Sequence, residues 1–247
     1  MSIRTPVCIA LSAVSLSVMA AEAPIKVTKD YHLDADVSYL MNTSTGTDGS
    51  SSDKQNLAAN ISYKRMLGVW GQEVKAEAVS TQDDNATDNI ERYLLSGKLM
   101  HQQGEHAYQF AKLQLEKDLN SAFDYQASLT GGVGYEFLKD DIQLLTGEVG
   151  AGVRYSKDRA PPQDTRTEAL GTLAVHYQRK LTDTTHFTQD LGYEYGAESS
   201  TFRSKTSLAM AISKQISGLV SYQIKDISAD EGDSRDALTS IGLKYSH

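Results

Sequence analysis

Residues 125 to 137 read YQASLTGGVGYEF, and their parity decides the fold. Tyr125, Ala127, Leu129, Gly131, Val133, Tyr135 and Phe137 share one face of an extended chain, with Gln126, Ser128, Thr130, Gly132, Gly134 and Glu136 on the other. A period of two marks a strand with one apolar and one polar face. The pattern recurs in both directions from there. Tyr31, Leu33, Ala35, Val37, Tyr39 and Met41 alternate with His32, Asp34, Asp36 and Ser38. Ala169, Gly171, Leu173, Val175 and Tyr177 do the same, as do Phe187, Leu191, Tyr193 and Tyr195 against His186, Thr188, Asp190 and Glu194. Ile241, Leu243 and Tyr245 carry the alternation to the end of the sequence. Weaker runs occupy 57–63, 74–80, 93–99, 145–155, 202–212 and 218–224. In 107–117 the parity conflicts, because Tyr108 and Phe110 oppose Ala111, Leu113 and Leu115.

The runs add up to about twelve strands, an even number, as a closed antiparallel up-and-down transmembrane β-barrel requires when both termini lie on one side. Polar connections at 42–55, 81–89, 118–124, 156–165, 196–201 and 228–235 alternate with tight links near Leu67-Gly68, Gln102 to Gly104, Lys139 to Asp141, Thr182 to Thr184 and Lys214-Gln215. Long outer loops and short periplasmic turns predict that alternation. Tyr31, Tyr39, Tyr63, Tyr93, Tyr135, Tyr155, Tyr177, Tyr193, Tyr222 and Tyr245 share the apolar parity, which suits interfacial girdles. A periplasmic β-sandwich or lipocalin-like barrel would alternate too, with its apolar face turned inward. The many Ala and Gly on the apolar parity suit a curved wall better than a tightly packed core.

The N-terminal stretch sets the expected compartment. Arg4, an apolar run from Val7 to Met19 and Val18-Met19-Ala20 fit a removed signal peptide over residues 1–20, followed by a short periplasmic segment at 21–29 and a barrel over 30–247. A membrane anchor needs roughly 20 apolar residues, more than this run supplies before Glu22 and Lys26. The only cysteine, Cys8, lies inside that segment, which removes disulfides, thiol chemistry and cysteine-ligated metals from the mature chain. A net charge of −8, a pI near 5.2 and the lack of a basic groove argue against nucleic acid as a partner. A mean hydropathy of −0.40 is compatible with a membrane barrel, because only alternate residues meet lipid.

Three stretches, FDYQASLTGGVGY (123–135), KLTDTTHFTQDLGY (180–193) and SYQIK (221–225) followed by Leu238 to Tyr245, resemble the YdiY-type salt-induced outer-membrane proteins, a domain of unknown function. The resemblance covers most of 31–247. It implies an outer-membrane barrel, with lipid and lipopolysaccharide around it and the barrel-assembly machinery as a partner in biogenesis. It carries no functional residues. Barrels of that pathway commonly end in an aromatic residue, whereas this sequence ends Tyr245-Ser246-His247.

No nucleophile elbow, zinc-protease motif, phosphate loop or metal-ligand spacing is present, so no catalytic, cofactor or metal residue is expected. The polar parity instead predicts a lumen lined by Asp34, Asp36, Lys64, Arg92, Lys98, Glu148, Arg154, Glu168, His176, Asp190, Arg203 and Lys205. A hairpin about Thr182 to Thr184 would set His176 opposite Asp190, the base half of a hydrolase without an obvious serine. Asp230, Glu231, Asp233 and Asp236 form an acidic outer cluster without EF-hand spacing. Asn42-Thr43-Ser44 and Asn85-Ala86-Thr87 match a glycosylation pattern that has little meaning in a bacterial outer membrane. Three functions fit these features: a narrow pore for small polar solutes or ions, a closed structural or osmotic-stress barrel, or a lipid-modifying hydrolase.

Overall fold

The structure, a computed structural model, describes residues 31–45, 51–83, 90–119, 121–229 and 233–247. Residues 1–29, Cys8, Asp230, Glu231 and Asn85 to Thr87, all named above, lie outside them. Twelve strands form in chain order: β1 (Tyr31–Thr45), β2 (Ser51–Leu67), β3 (Trp70–Asp83), β4 (Ile90–Gln102), β5 (Ala107–Asp118), β6 (Phe123–Lys139), β7 (Gln143–Asp158), β8 (Thr165–Lys180), β9 (Thr185–Gly196), β10 (Ser199–Ala211), β11 (Ile216–Ala229) and β12 (Ser234–Ser246). Each pairs antiparallel with its chain neighbours and β1 pairs with β12, so the sheet is a closed barrel without a free edge. The closing seam is short. β1 and β12 share six residue pairs, Asp34↔Ser246 to Tyr39↔Ile241, against fifteen between β1 and β2.

The alternation sets an inside-out packing. Leu57, Ile61, Leu95, Leu99, Leu129, Val133, Leu173, Ile241 and Leu243 are exposed on the outer wall, whereas Arg154, Glu168, Lys225 and Ser240 are buried within. A continuous outer apolar surface around a charged interior is unstable in water and stable in lipid, so the chain is a membrane β-barrel and not a lipocalin-like one.

The first and last described residues, Tyr31 and His247, lie at one end of the barrel, joined by Leu33–His247 backbone hydrogen bonds in both directions. The links at that terminus end include Gly68, whose φ of 61° a side chain rarely adopts. Its girdle holds Tyr31 stacked near Tyr63, Trp70 on His101, and Tyr135 beside Phe137. His247 joins it, its ring 5.7 Å from Tyr31 and its Nε2 3.1 Å from the Tyr31 hydroxyl. A terminal imidazole thus sits where an aromatic is expected. Tyr93, Tyr125 and Tyr155 mark the far end, but Tyr222 pairs with Thr206 and Thr239 in mid-strand and belongs to neither girdle.

The connections differ from their predicted lengths. β1 and β2 extend into 42–55, and only Ala197-Glu198 separates β9 from β10. Polar residues at the far end continue the ladders there, so the long-short alternation is partial.

Candidate functional site

The structure puts the twelve polar residues singled out above on the lumen-facing parity, in two layers. At the terminus end Asp34 accepts from Ser246 Oγ (2.6 Å) and pairs with Lys244 (3.1 Å) and His32 (3.3 Å). Lys64 and Lys75 flank Glu73 at 3.7 and 2.7 Å. Lys98 pairs with Glu148, which also accepts from the Tyr108 hydroxyl at 2.5 Å. His176 Nδ1 lies 2.6 Å from Asp190 Oδ1, as their cross-strand register dictates. Among the described residues no hydroxyl is bonded to His176. Asp36 and Lys205 face this layer without an ion pair between them.

The far-end layer is drier. Arg154, 2 % exposed, donates through Nε to Glu168 (2.8 Å) and through Nη2 to the Ser199 carbonyl and hydroxyl (both 2.6 Å). Gly196 leaves the room, since a Cβ there would lie 2.2 Å from Glu168 Oε2. Arg92 contacts Glu77 (3.0 Å) and Asp236 (3.8 Å). Asp236 therefore points into the barrel from β12 and does not belong to an outer acidic cluster.

Two cations then cross the lumen. Arg203 on β10 reaches Glu116 on β5 at 2.5 Å, and Lys225 on β11 reaches Glu116 at 2.6 Å and pairs also with Asp118. β5 and β11 are six strands apart in the twelve-strand ring, on opposite walls. Glu116 and Lys225 are absent from the predicted lining: the parity conflict in 107–117 hides Glu116, and Lys225 lies one residue beyond the 218–224 run. β5 is regular throughout, and Tyr108 and Phe110 point inward with Lys112, Gln114 and Glu116.

These two aromatics thicken the wall. Their rings lie against the lumen-side glycines of β6 and β7. A Cβ at Gly134 would meet Tyr108 Cζ at 2.2 Å, and one at Gly132 would meet Phe110 Cζ at 2.9 Å. Lys98 covers the other side, its Nζ 4.8 Å from the Phe110 centroid. The signal in the sequence is a pair of inward aromatics directly across from a lumen-side Gly-x-Gly, Tyr108 opposite Gly134 and Phe110 opposite Gly132.

Access is unequal between the layers. Lys64 and Asp190 each keep 46 % of their side chains accessible, against 4 % for Lys225, Glu116 and Asp118. Among the described residues the lumen is a cup, more accessible at the terminus end and packed with ion pairs at the far end.

Among known proteins, the model for the family described as "Protein of unknown function, DUF481" matches residues 41–247. The uncharacterized protein YdiY of Escherichia coli K12 is 25 % identical over 226 residues, 90 % of this chain and 86 % of that protein. Solved barrels align over most of the chain at low similarity. The β domain of the Bordetella autotransporter BrkA is 13 % identical at a TM-score of 0.45, covering 88 % of this chain and 99 % of its own. An outer membrane channel from Pseudomonas putida F1 is 10 % identical at 0.48, covering 88 % and 94 %.

Proposed function

From the premise that this chain belongs to the DUF481 family of proteins of unknown function, we propose that it is an outer-membrane barrel whose lumen is held shut by ion pairs, a closed structural or stress-responsive element of the envelope. The observation that carries this reading is Lys225 reaching Glu116 and Asp118 from the opposite wall, with Arg203 beside it. Long side chains that meet across the far-end layer narrow the lumen at that level. The lipid-facing belt, the even strand number and the shared end of the start of β1 and the end of β12 support the outer-membrane setting, with the cup opening to the periplasm.

A second reading, a gated pore for small polar solutes or ions, draws on the accessible cup and on the electrostatic nature of the plug. Recording single-channel current from the refolded barrel in a planar bilayer separates the two. The closed reading expects a silent wild-type barrel and discrete steps from Lys225→Met/Arg203→Met. Steps from the wild type would overturn it in favour of the pore. For a lipid hydrolase His176 and Asp190 supply only half of a site, and we assign the pair to hydrogen bonding within the cup.

A further inference from the structure

The outer wall is not uniform. Across β2 to β7 at the far end, cross-strand register sets Ala59 beside Ala78, Ala78 beside Tyr93, and Tyr93 beside Lys117, while Tyr125 lies beside Lys157. Tyr125 and Tyr155 pack with ring centroids 6.0 Å apart, and Tyr93 donates its hydroxyl to Glu91 at 2.6 Å. The result is a row in which two outward lysines alternate with girdle tyrosines. Among the described residues neither Lys117 nor Lys157 has an ion pair or a side-chain hydrogen bond.

Immediately toward the membrane centre the wall is concave. Ala59, Ala76 and Ala78 form its floor, and Tyr93, Leu95 and Leu115 rise as one side. Lys117 and Tyr125 stand at its rim. The hollow exists because three alanines occupy outward positions that elsewhere carry Leu, Ile or Tyr. A cation at the head of an apolar trough beside aromatic rings is complementary to one kind of molecule in its surroundings: an acyl chain that ends in an anionic head.

We propose that this face binds a phosphate-bearing, acylated glycolipid of the adjacent leaflet, with phosphate between Lys117 and Lys157 and one acyl chain in the alanine-floored trough. The lysines answer the head because they have no protein carboxylate to satisfy them, and phosphate oxygens accept charge-assisted bonds from ammonium groups. The trough answers the chain because filling it restores contacts that the small side chains leave unmade.

The test is native mass spectrometry of the barrel in dodecyl maltoside, titrated with bis-phosphorylated lipid A and with its dephosphorylated form. The wild type should retain the phosphorylated lipid, and Lys117→Ala/Lys157→Ala should weaken retention at least tenfold. Ala78→Leu, which fills the floor, should also weaken it. Arg65→Ala, an outward cation at the opposite end, should leave it unchanged. All four side chains face outward, so heat-modifiable migration should be kept. Equal binding by the double-lysine variant, or equal binding of the dephosphorylated lipid, would overturn the proposal. So would a barrel dimer that Ala78→Leu abolishes, which would assign the trough to a second copy of this chain.

Discussion

Lys225 Nζ and Glu116 Oε1 meet at 2.6 Å although their strands stand on opposite sides of the ring. Both side chains are 4 % exposed, so each charge depends on the other for its solvation. Removing one partner of a buried pair leaves the remainder uncompensated, at about 3–5 kcal/mol. Lys225→Met should therefore lower the stability of the folded barrel by about that amount, measured by urea titration in vesicles with the gel shift as readout. Lys225→Met/Asp118→Asn should recover much of the loss, because Glu116 keeps Arg203 as its partner and position 118 no longer carries a charge.

Gly134 and Tyr108 test the aromatic wall. Gly134→Ala places a methyl 2.2 Å from the Tyr108 ring, which must swing away from β6 and lose its bond to Glu148. Overpacking of this kind costs about 1–3 kcal/mol. Tyr108→Ala in the same chain should remove most of the penalty, and a double-mutant cycle should show coupling. Additive losses would mean that the ring does not rest on Gly134.

Asp140 in the β6–β7 link gives a pH test outside the membrane span. Its carboxylate accepts the backbone N–H groups of Ile142 and Gln143, both at 2.8 Å, and these bonds hold its pKa below the ordinary 3.8. A depressed folded pKa means that the link is stabilised above the ordinary carboxylate range and released as pH falls through the folded value. Asp140→Ala should speed hydrogen exchange at the Ile142 and Gln143 amides at neutral pH. The wild type should lose that protection only below pH 3.8.

His176→Ala should fold and migrate like the wild type, since Lys75 and Lys205 remain near Asp190. A lipid-hydrolysis assay carried out on both proteins should show no difference. An activity in the wild type that the variant lacks would revive the hydrolase reading and require a search for its nucleophile.

Much of the architecture was legible in the sequence because lipid and lumen impose opposite demands on adjacent residues. Every strand with clean parity, such as β6 around Leu129, falls where its alternation points. Pairing between adjacent strands was equally readable, as His176 and Asp190 demonstrate from register alone. What parity could not carry was contact across the lumen. Lys225 and Glu116 are 109 positions apart, and their meeting depends on strand number, tilt and side-chain reach together. Glu116 was hidden further by inward Tyr108 and Phe110, which obey the packing needs of Gly132 and Gly134 and not the usual polarity of a lumen. Asp236 misled for the opposite reason. Its acidic neighbours in sequence made it look like loop, but β12 already begins at Ser234.

The six-pair ladder between β1 and β12, clasped by Leu33 and His247, gives the cylinder a line of weakness. Tearing a sheet along a ladder breaks its hydrogen bonds in turn, so the shortest ladder yields to the least work. A barrel dragged out of its bilayer by force unzips along that line first, and one growing strand by strand seals there last. The molecule thus has a built-in order of events, with its clasp written in the residues at the two ends of the described chain.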